Sequence, residues 1–124
     1  MARDSMDLLQ GTLDVLILRT LAWQQPLHGY AISRWIRERT DGAIDIQDAP
    51  LYKALHRLEH DGSVAATWGV SENNRKARYY ELTPRGRALL RSEEATWRRY
   101  AAAVFSVLDP APSAPLAPLG ATTA

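Results

Sequence analysis

Apolar residues recur at helical spacing through the first third of the chain. In residues 8–23 they stand three or four positions apart, which predicts a helix with one buried face. Val15 and Leu18 widen that apolar surface, so we expect the helix to contact a partner helix or subunit as well as the core. Residues 26–29 interrupt the pattern, and residues 30–37 resume it and predict a second amphipathic helix.

A third helix is predicted where three leucines share one face. Leu51, Leu55 and Leu58 stand at i, i+4 and i+7, and we expect them to be buried. Asp48 fits the helix N-cap, and Gly62 fits the left-handed residue that ends many helices. Opposite the leucines lie Ala49, Lys53, His56 and His60, and Tyr52 and Arg57 lie on the flanks. The outward face is therefore polar, aromatic and partly cationic.

Alternation with period two follows the third helix. Residues 64–68 and 79–82 have the pattern of two short strands, and residues 69–76 between them are rich in turn formers and end in two cations. Together they predict a hairpin with a polar, basic loop. The turn-rich residues 40–48 allow one more brief extended segment. Helix, turn, helix and hairpin in this order favour a winged helix-turn-helix.

A long last helix is predicted over residues 84–108. Residues 83–84, a threonine followed by a proline, are typical of a helix start. Leu90, Trp97 and Val104 recur every seven residues, and such a seam favours packing against another helix. One small domain cannot cover the whole seam, so we expect this helix to form a dimer.

Length and composition suit a single small domain. The chain has 124 residues, of which 46% are hydrophobic. Four of its seven prolines fall in residues 109–124, which lack periodicity and are expected to be disordered. The absence of cysteine excludes disulfides, thiolate metal sites and a cysteine nucleophile. Asp14 and Arg19 interrupt the first apolar run, unlike a secretory signal or membrane span, so we expect a cytoplasmic protein.

Charge is informative through its position. The net charge of +1 argues only weakly for a nucleic-acid partner. Between residues 71 and 87, however, five cations outnumber two acids, so positive charge is concentrated at the predicted hairpin. This placement favours contact with DNA phosphates over a charge pair that is merely solvated.

Several strings resemble the PadR family of bacterial winged-helix transcriptional regulators, particularly its short subgroup with a single C-terminal helix. In chain order they are LLQGTLDVLIL, PLHGYAI, LYKALHRLE and GVSENNRKARYYELTPRGR, and the resemblance spans roughly residues 6–108. It implies a mainly α fold with a small β-hairpin, a winged helix-turn-helix with an added C-terminal dimerisation helix. Lys53 stands where we expect proline in many relatives, which weakens any transfer of operator sequence.

Pattern and resemblance together imply a DNA-binding repressor that works as a homodimer on an inverted-repeat operator. Residues 1–83 are expected to bind DNA, residues 84–108 to dimerise and residues 109–124 to form a tail; neither a cofactor nor a membrane is expected. The expected DNA contacts are Tyr30, Ala49, Pro50, Tyr52, Lys53, His56, Arg57, Asn73, Asn74, Arg75, Lys76 and Arg78. The expected dimer contacts are Leu9, Leu13, Leu90, Trp97, Tyr100, Val104 and Val107.

Other interpretations stay open beside this one. A winged-helix protein–protein module would use the same exposed helix, whereas an enzyme would need a catalytic constellation that the sequence does not contain. His56 and His60 have a spacing that can hold zinc but no third ligand nearby, and His28 fits a helix cap or a phosphate contact. The four tryptophans belong either to core and interface or, as the resemblance suggests for some relatives, to a pocket for a small aromatic effector.

Overall fold

A computed structural model describes residues 10–109, and these residues fold as four helices and one three-stranded antiparallel sheet. The winged helix-turn-helix with a long C-terminal helix is confirmed. The expectations for Leu9 and for residues 110–124 of the tail lie outside the described residues. In chain order the elements are α1 Gln10–Trp23, β1 Leu27–His28, α2 Gly29–Arg39, α3 Asp48–His60, β2 Val64–Val70, β3 Lys76–Leu82 and α4 Pro84–Leu108.

The core lies where α1, α2 and α3 meet the inner face of the hairpin. The leucine face of α3 is buried as predicted, and Leu51, Leu55 and Leu58 are each at most 1% exposed. Ser33 on α2 is also buried, although its side chain is polar. Its hydroxyl donates to the Tyr30 carbonyl at 3.1 Å, which satisfies the buried oxygen locally.

The two ends of α3 differ in how well the sequence predicted them. The prediction of Asp48 as the N-cap was wrong. The cap residue is Gln47, whose backbone is extended and whose side chain makes no capping hydrogen bond. Asp48 lies instead in the first turn, where its carboxylate favours the helix dipole. Gly62 ends the helix as predicted, with a φ of 80° and a backbone N–H that donates to the Glu59 carbonyl at 3.0 Å.

The sheet has the strand order β1-β3-β2. The hairpin register runs from Val64 opposite Leu82 to Val70 opposite Lys76, which extends both strands beyond the predicted bounds. Strand β1 adds two residues to the free edge of β3. A strand of two residues is too short to show an alternating pattern, so the sequence did not predict β1. The extended segment that the sequence allowed in residues 40–48 forms no strand.

The first turn of α4 lies close against residues 61–63, the turn that follows α3. The Thr83 hydroxyl accepts the Gly86 backbone N–H at 3.0 Å, which confirms the predicted cap. A Cβ atom at Gly86 would lie 2.0 Å from the Ser63 carbonyl oxygen, so only glycine permits this approach. Among residues 10–109, no helix combines the length and apolar content needed to cross a bilayer.

Two charged residues of α1 form ion pairs with other helices. Asp14 receives two hydrogen bonds from the Arg57 guanidinium of α3, at 2.8 and 2.9 Å. Their side chains are 13% and 33% exposed, so water screens this fork only in part. Arg19 pairs with Glu94 of α4. The charges that interrupt the apolar run of α1 therefore join it to the helices on either side.

We expect Asp14→Asn to lower the free energy of unfolding by about 1–3 kcal/mol, because Arg57 then remains partly buried without its charged partner. Urea denaturation at a fixed protein concentration measures the change. Glu38→Gln is the matched control, since its pair with Arg34 is exposed and spans 3.9 Å; we expect it to cost less than about 0.5 kcal/mol. Equal losses from both variants would contradict a special role for the fork.

Candidate nucleic-acid interface

The outward face of α3 presents the side chains that the helical pattern placed there. Lys53, His56 and His60 are exposed, and Tyr52 is 45% exposed beside them. Ala49 and Pro50, also expected at the interface, are exposed in the first turn. The helix thus offers donors, an aromatic ring and a cation on one solvent-facing surface.

Tyr52 lies over the start of α2. A Cβ atom at Gly29 would lie 2.5 Å from the Tyr52 hydroxyl oxygen, so this glycine leaves the space that the ring occupies. Burial, reinforced by the negative charge of Asp48, raises the pKa of the Tyr52 hydroxyl. The phenol is therefore neutral and can donate a hydrogen bond at physiological pH.

The residues at the start of α2 form a small aromatic group. Tyr30 is 53% exposed, with the Arg34 guanidinium 5.7 Å from its ring centroid. The His28 Nδ1 accepts the Ala31 backbone N–H at 3.2 Å, which supports the interpretation of His28 as a helix cap. The His28 ring lies 5.4 Å from that of Tyr79 in an edge-to-face arrangement.

The wing loop comprises residues 71–75 and closes in a compact turn. The Asn74 backbone N–H donates to the Ser71 carbonyl at 2.8 Å, and Asn74 has a φ of 59°, a conformation that asparagine tolerates. Asn73, Arg75 and Lys76 are exposed at or beside this turn. Both of the predicted cations are therefore exposed at the tip of the hairpin, Arg75 in the loop and Lys76 at the start of β3.

Two of the arginines expected to contact DNA have partners within the protein. Arg57 is held by the fork with Asp14, and that hydrogen-bonded carboxylate raises the pKa of the guanidinium further. Arg78 donates to Glu59 of α3 at 2.5 Å and is only partly exposed. Neither pair could be predicted from the sequence, because each joins residues of different elements that are far apart along the chain.

A cleft of about 440 Å³ lies between α3 and β3. Its lining is polar and aromatic and consists of Tyr52, His56, Glu59, His60, Arg78 and Tyr80. Burial raises the pKa of the Tyr80 hydroxyl at the floor of this cleft. Within residues 10–109 no group of three or more histidine, cysteine or acidic side chains has the arrangement of a metal site.

A second surface runs along α4 and the exposed side of α1. Trp97 is 42% exposed and its indole N–H donates to the Thr12 hydroxyl at 2.8 Å, while Val107 is 80% exposed near the end of α4. The large hydrophobic residues exposed on α4 are Trp97, Tyr100, Val104, Phe105, Val107 and Leu108. Leu13 and Leu90 were also expected at the dimer contact. Both are instead buried in the core of this chain.

Two cavities open on the same surface and share Thr12, Val15 and Trp97 in their lining. The smaller, about 290 Å³, extends towards Tyr100. The larger, about 480 Å³, extends towards Trp23. Two of the four tryptophans, Trp23 and Trp97, therefore line one apolar cavity. The sequence alone did not distinguish which tryptophans would line a ligand pocket.

Comparison with known proteins identifies relatives over most of the chain. Residues 17–92, more than half of the chain, match the family described as the transcriptional regulator PadR-like family. An uncharacterised protein of Lysinibacillus sphaericus is 35% identical over 91 residues, which cover 73% of this chain and 83% of that protein.

Solved structures share the fold. A transcriptional regulator from Clostridium thermocellum superposes with a TM-score of 0.74 at 29% identity, covering 84% of this chain and 100% of the other. A PadR family transcriptional regulator from Eggerthella lenta has a TM-score of 0.66 at 31% identity, with 82% and 86% covered. The matched family and these neighbours are transcriptional regulators, not enzymes.

Proposed function

Because the chain belongs to the PadR-like family of transcriptional regulators, we propose that it represses transcription as a homodimer bound to an inverted-repeat operator. Its family makes it a DNA-binding regulator. The observation that supports the operator contacts is the exposure of the outward side chains of α3 and of the wing cations. The ion pair between Arg78 and Glu59 joins these two elements. In this proposal residues 1–83 bind DNA and residues 84–108 dimerise.

The contacts divide by chemistry between reading bases and neutralising phosphates. Lys53 and His56 project from the exposed face of a helix that fits the major groove, where lysine can donate to guanine and histidine can donate or accept at a base edge. Arg75 and Lys76 at the wing are suited to phosphate oxygens. Tyr30, exposed at the start of α2, is proposed to contact the DNA backbone, because the first helix of such motifs crosses it.

We take α3 as the proposed recognition helix, and its outward residues should respond to substitution differently from the wing cations. On a cognate operator, Lys53→Ala and His56→Ala should each cost about 1–3 kcal/mol more than on random duplex, because base-edge contacts carry discrimination. Arg75→Ala combined with Lys76→Ala should weaken both complexes alike and lower the slope of log K against log salt. With two wings, up to about four phosphate contacts are lost, at about 0.9 each.

The measurement is fluorescence anisotropy with two duplexes at several salt concentrations, one from the intergenic DNA beside the coding sequence and one of random sequence. Circular dichroism confirms that each variant is folded. If the α3 variants lose equal affinity for both duplexes, α3 does not read the operator. If the parent shows no salt-dependent DNA binding, the alternative of a protein-interaction module is favoured.

The homodimer is proposed from the apolar surface of α4. Trp97, Tyr100 and Val107 lie exposed along one helix, and a second copy would bury them by two-fold symmetry. Such a dimer presents both recognition helices, so the operator half-sites should lie about one helical turn, or about 34 Å, apart. The same symmetry requires an inverted repeat.

We expect Val107→Glu and Trp97→Glu each to raise the dimer dissociation constant by about a hundredfold or more, since an unpaired charge in an interface costs several kcal/mol. Val107 is 80% exposed in one chain, so its substitution should leave the monomer fold intact. Ser92→Glu on the same helix is the matched control. Sedimentation at micromolar concentration measures the mass; a monomeric parent would contradict the proposal.

Release of DNA by a small aromatic ligand is proposed from the larger cavity between α1 and α4. Trp23 and Trp97 both line it, and apolar walls with a few polar groups suit a flat aromatic compound. Glu94 adds an anionic group to the lining. Hydrogen bonds from Arg19 and, to a lesser extent, Arg98 lower the pKa of its carboxyl group, so Glu94 stays charged near neutral pH.

The dye anilinonaphthalene sulfonate serves as the probe, followed by fluorescence. Trp23→Leu should weaken its binding by about two- to tenfold, the range that aromatic contacts contribute beyond area burial. Trp68→Leu is the matched control, because both tryptophans are 60% exposed and Trp68 lies on the wing. Saturating dye should also weaken operator binding by the parent; dye binding without this effect would contradict release.

A further inference from the structure

Trp68 stands on the wing beside two cations. It lies directly opposite Arg78 in the hairpin register, and Val70 opposite Lys76 is the next pair on the same face. The Lys76 Nζ lies 5.1 Å from the centroid of the Trp68 ring, and the Arg78 Cζ lies 5.3 Å from it. Both distances are within the range of cation–π attraction, for which tryptophan is the strongest ring.

The same contacts continue to the recognition helix. Arg78 donates to the Glu59 carboxylate of α3 at 2.5 Å. Their side chains are 38% and 31% exposed, so the pair is partly shielded from water. A continuous series of contacts therefore runs from Glu59 through Arg78 and Trp68 to Lys76, and it joins α3 to the wing.

Neither a core role nor a ligand-pocket role accounts for Trp68. A ring that is 60% exposed contributes little to the core. Trp68 also lies outside the lining of both cavities between α1 and α4. Its described contacts are charged groups of the surface that we propose to bind DNA.

We propose that Trp68 is a positioning residue for DNA binding, which rests on the proposed function and deepens it. The ring restrains the flexible side chain of Lys76 before DNA arrives. A free lysine must give up rotamer freedom when it meets a phosphate, and a lysine already held against a ring gives up less. Arg78, which is paired with Glu59 of α3, lies against the same ring and restrains it, so the effect of the ring on DNA binding passes through Lys76.

The first test needs no DNA. The chain contains two lysines, Lys53 and Lys76, so protein made with ¹³C-labelled lysine has two ε-methylene signals in its NMR spectrum. Ring current should shift the Lys76 signal upfield of the Lys53 signal. The shift should disappear in Trp68→Leu and largely persist in Trp68→Phe. Coincident signals in the parent would overturn the proposal.

The second test is a double-mutant cycle with a fluorescein-labelled duplex of random sequence at low salt, since phosphate contacts need no operator. Trp68→Leu should weaken binding by about three- to tenfold per wing, the cost of ordering one long side chain. Trp68→Phe should restore most of the loss. In the Lys76→Ala background Trp68→Leu should cost less than about twofold by the same reasoning. Thr67→Ala, exposed on the other face of β2, is the control.

The outcomes separate this inference from the proposed function. A parent that does not bind the duplex overturns the proposed function, and the NMR shift still decides whether Trp68 holds Lys76. A parent that binds, with the Trp68→Leu loss undiminished in the Lys76→Ala background, overturns only the positioning role. Equal affinity of Trp68→Leu and the parent overturns it as well.

Discussion

The proposed DNA surface depends on the burial of the leucine face of α3. Leu51, Leu55 and Leu58 are almost completely buried, and each contributes about 1.5–3 kcal/mol of hydrophobic stabilisation. Because successive helical side chains are separated by about 100°, that burial fixes the rotation of the helix and turns Lys53 and His56 outward. No contact between the outward side chains is needed to hold them there.

Charge on this protein serves two purposes that composition does not separate. Arg57, Arg19 and Arg78 form ion pairs that join different elements, whereas Arg75 and Lys76 extend from the wing turn. A partly buried arginine must be paired, because an isolated charge away from water is costly. The cations suited to DNA are those that the fold leaves in solvent.

Helix α4 changes role along its length. Its first turns pack on the core, where Gly86 approaches the Ser63 carbonyl and Leu90 is buried. Beyond them the helix extends past the body of the domain and exposes Tyr100 and Val107. A single helix thus links the DNA-binding fold to the surface proposed for the partner, and the cavities beside Trp97 lie at that junction.

Local pattern determined most of the fold. Leucine spacing in α3, the cap at Thr83 and period-two alternation in the hairpin each depend on neighbours a few positions apart, which the sequence records directly. The winged helix-turn-helix and the outward residues of α3 followed from these patterns. The placement of Gly62 at the end of α3 followed from the same local chemistry.

Only the tertiary structure decided which partners distant residues have. Asp14 and Arg57 are 43 positions apart, Glu59 and Arg78 are 19 apart, and no local period relates them. Strand β1 was missed for the same reason, since two residues become a strand only through their pairing with β3. The division of cations between internal pairs and solvent, like the position of Trp68 beside Lys76, depends on which elements pack together, and that is set by the whole core.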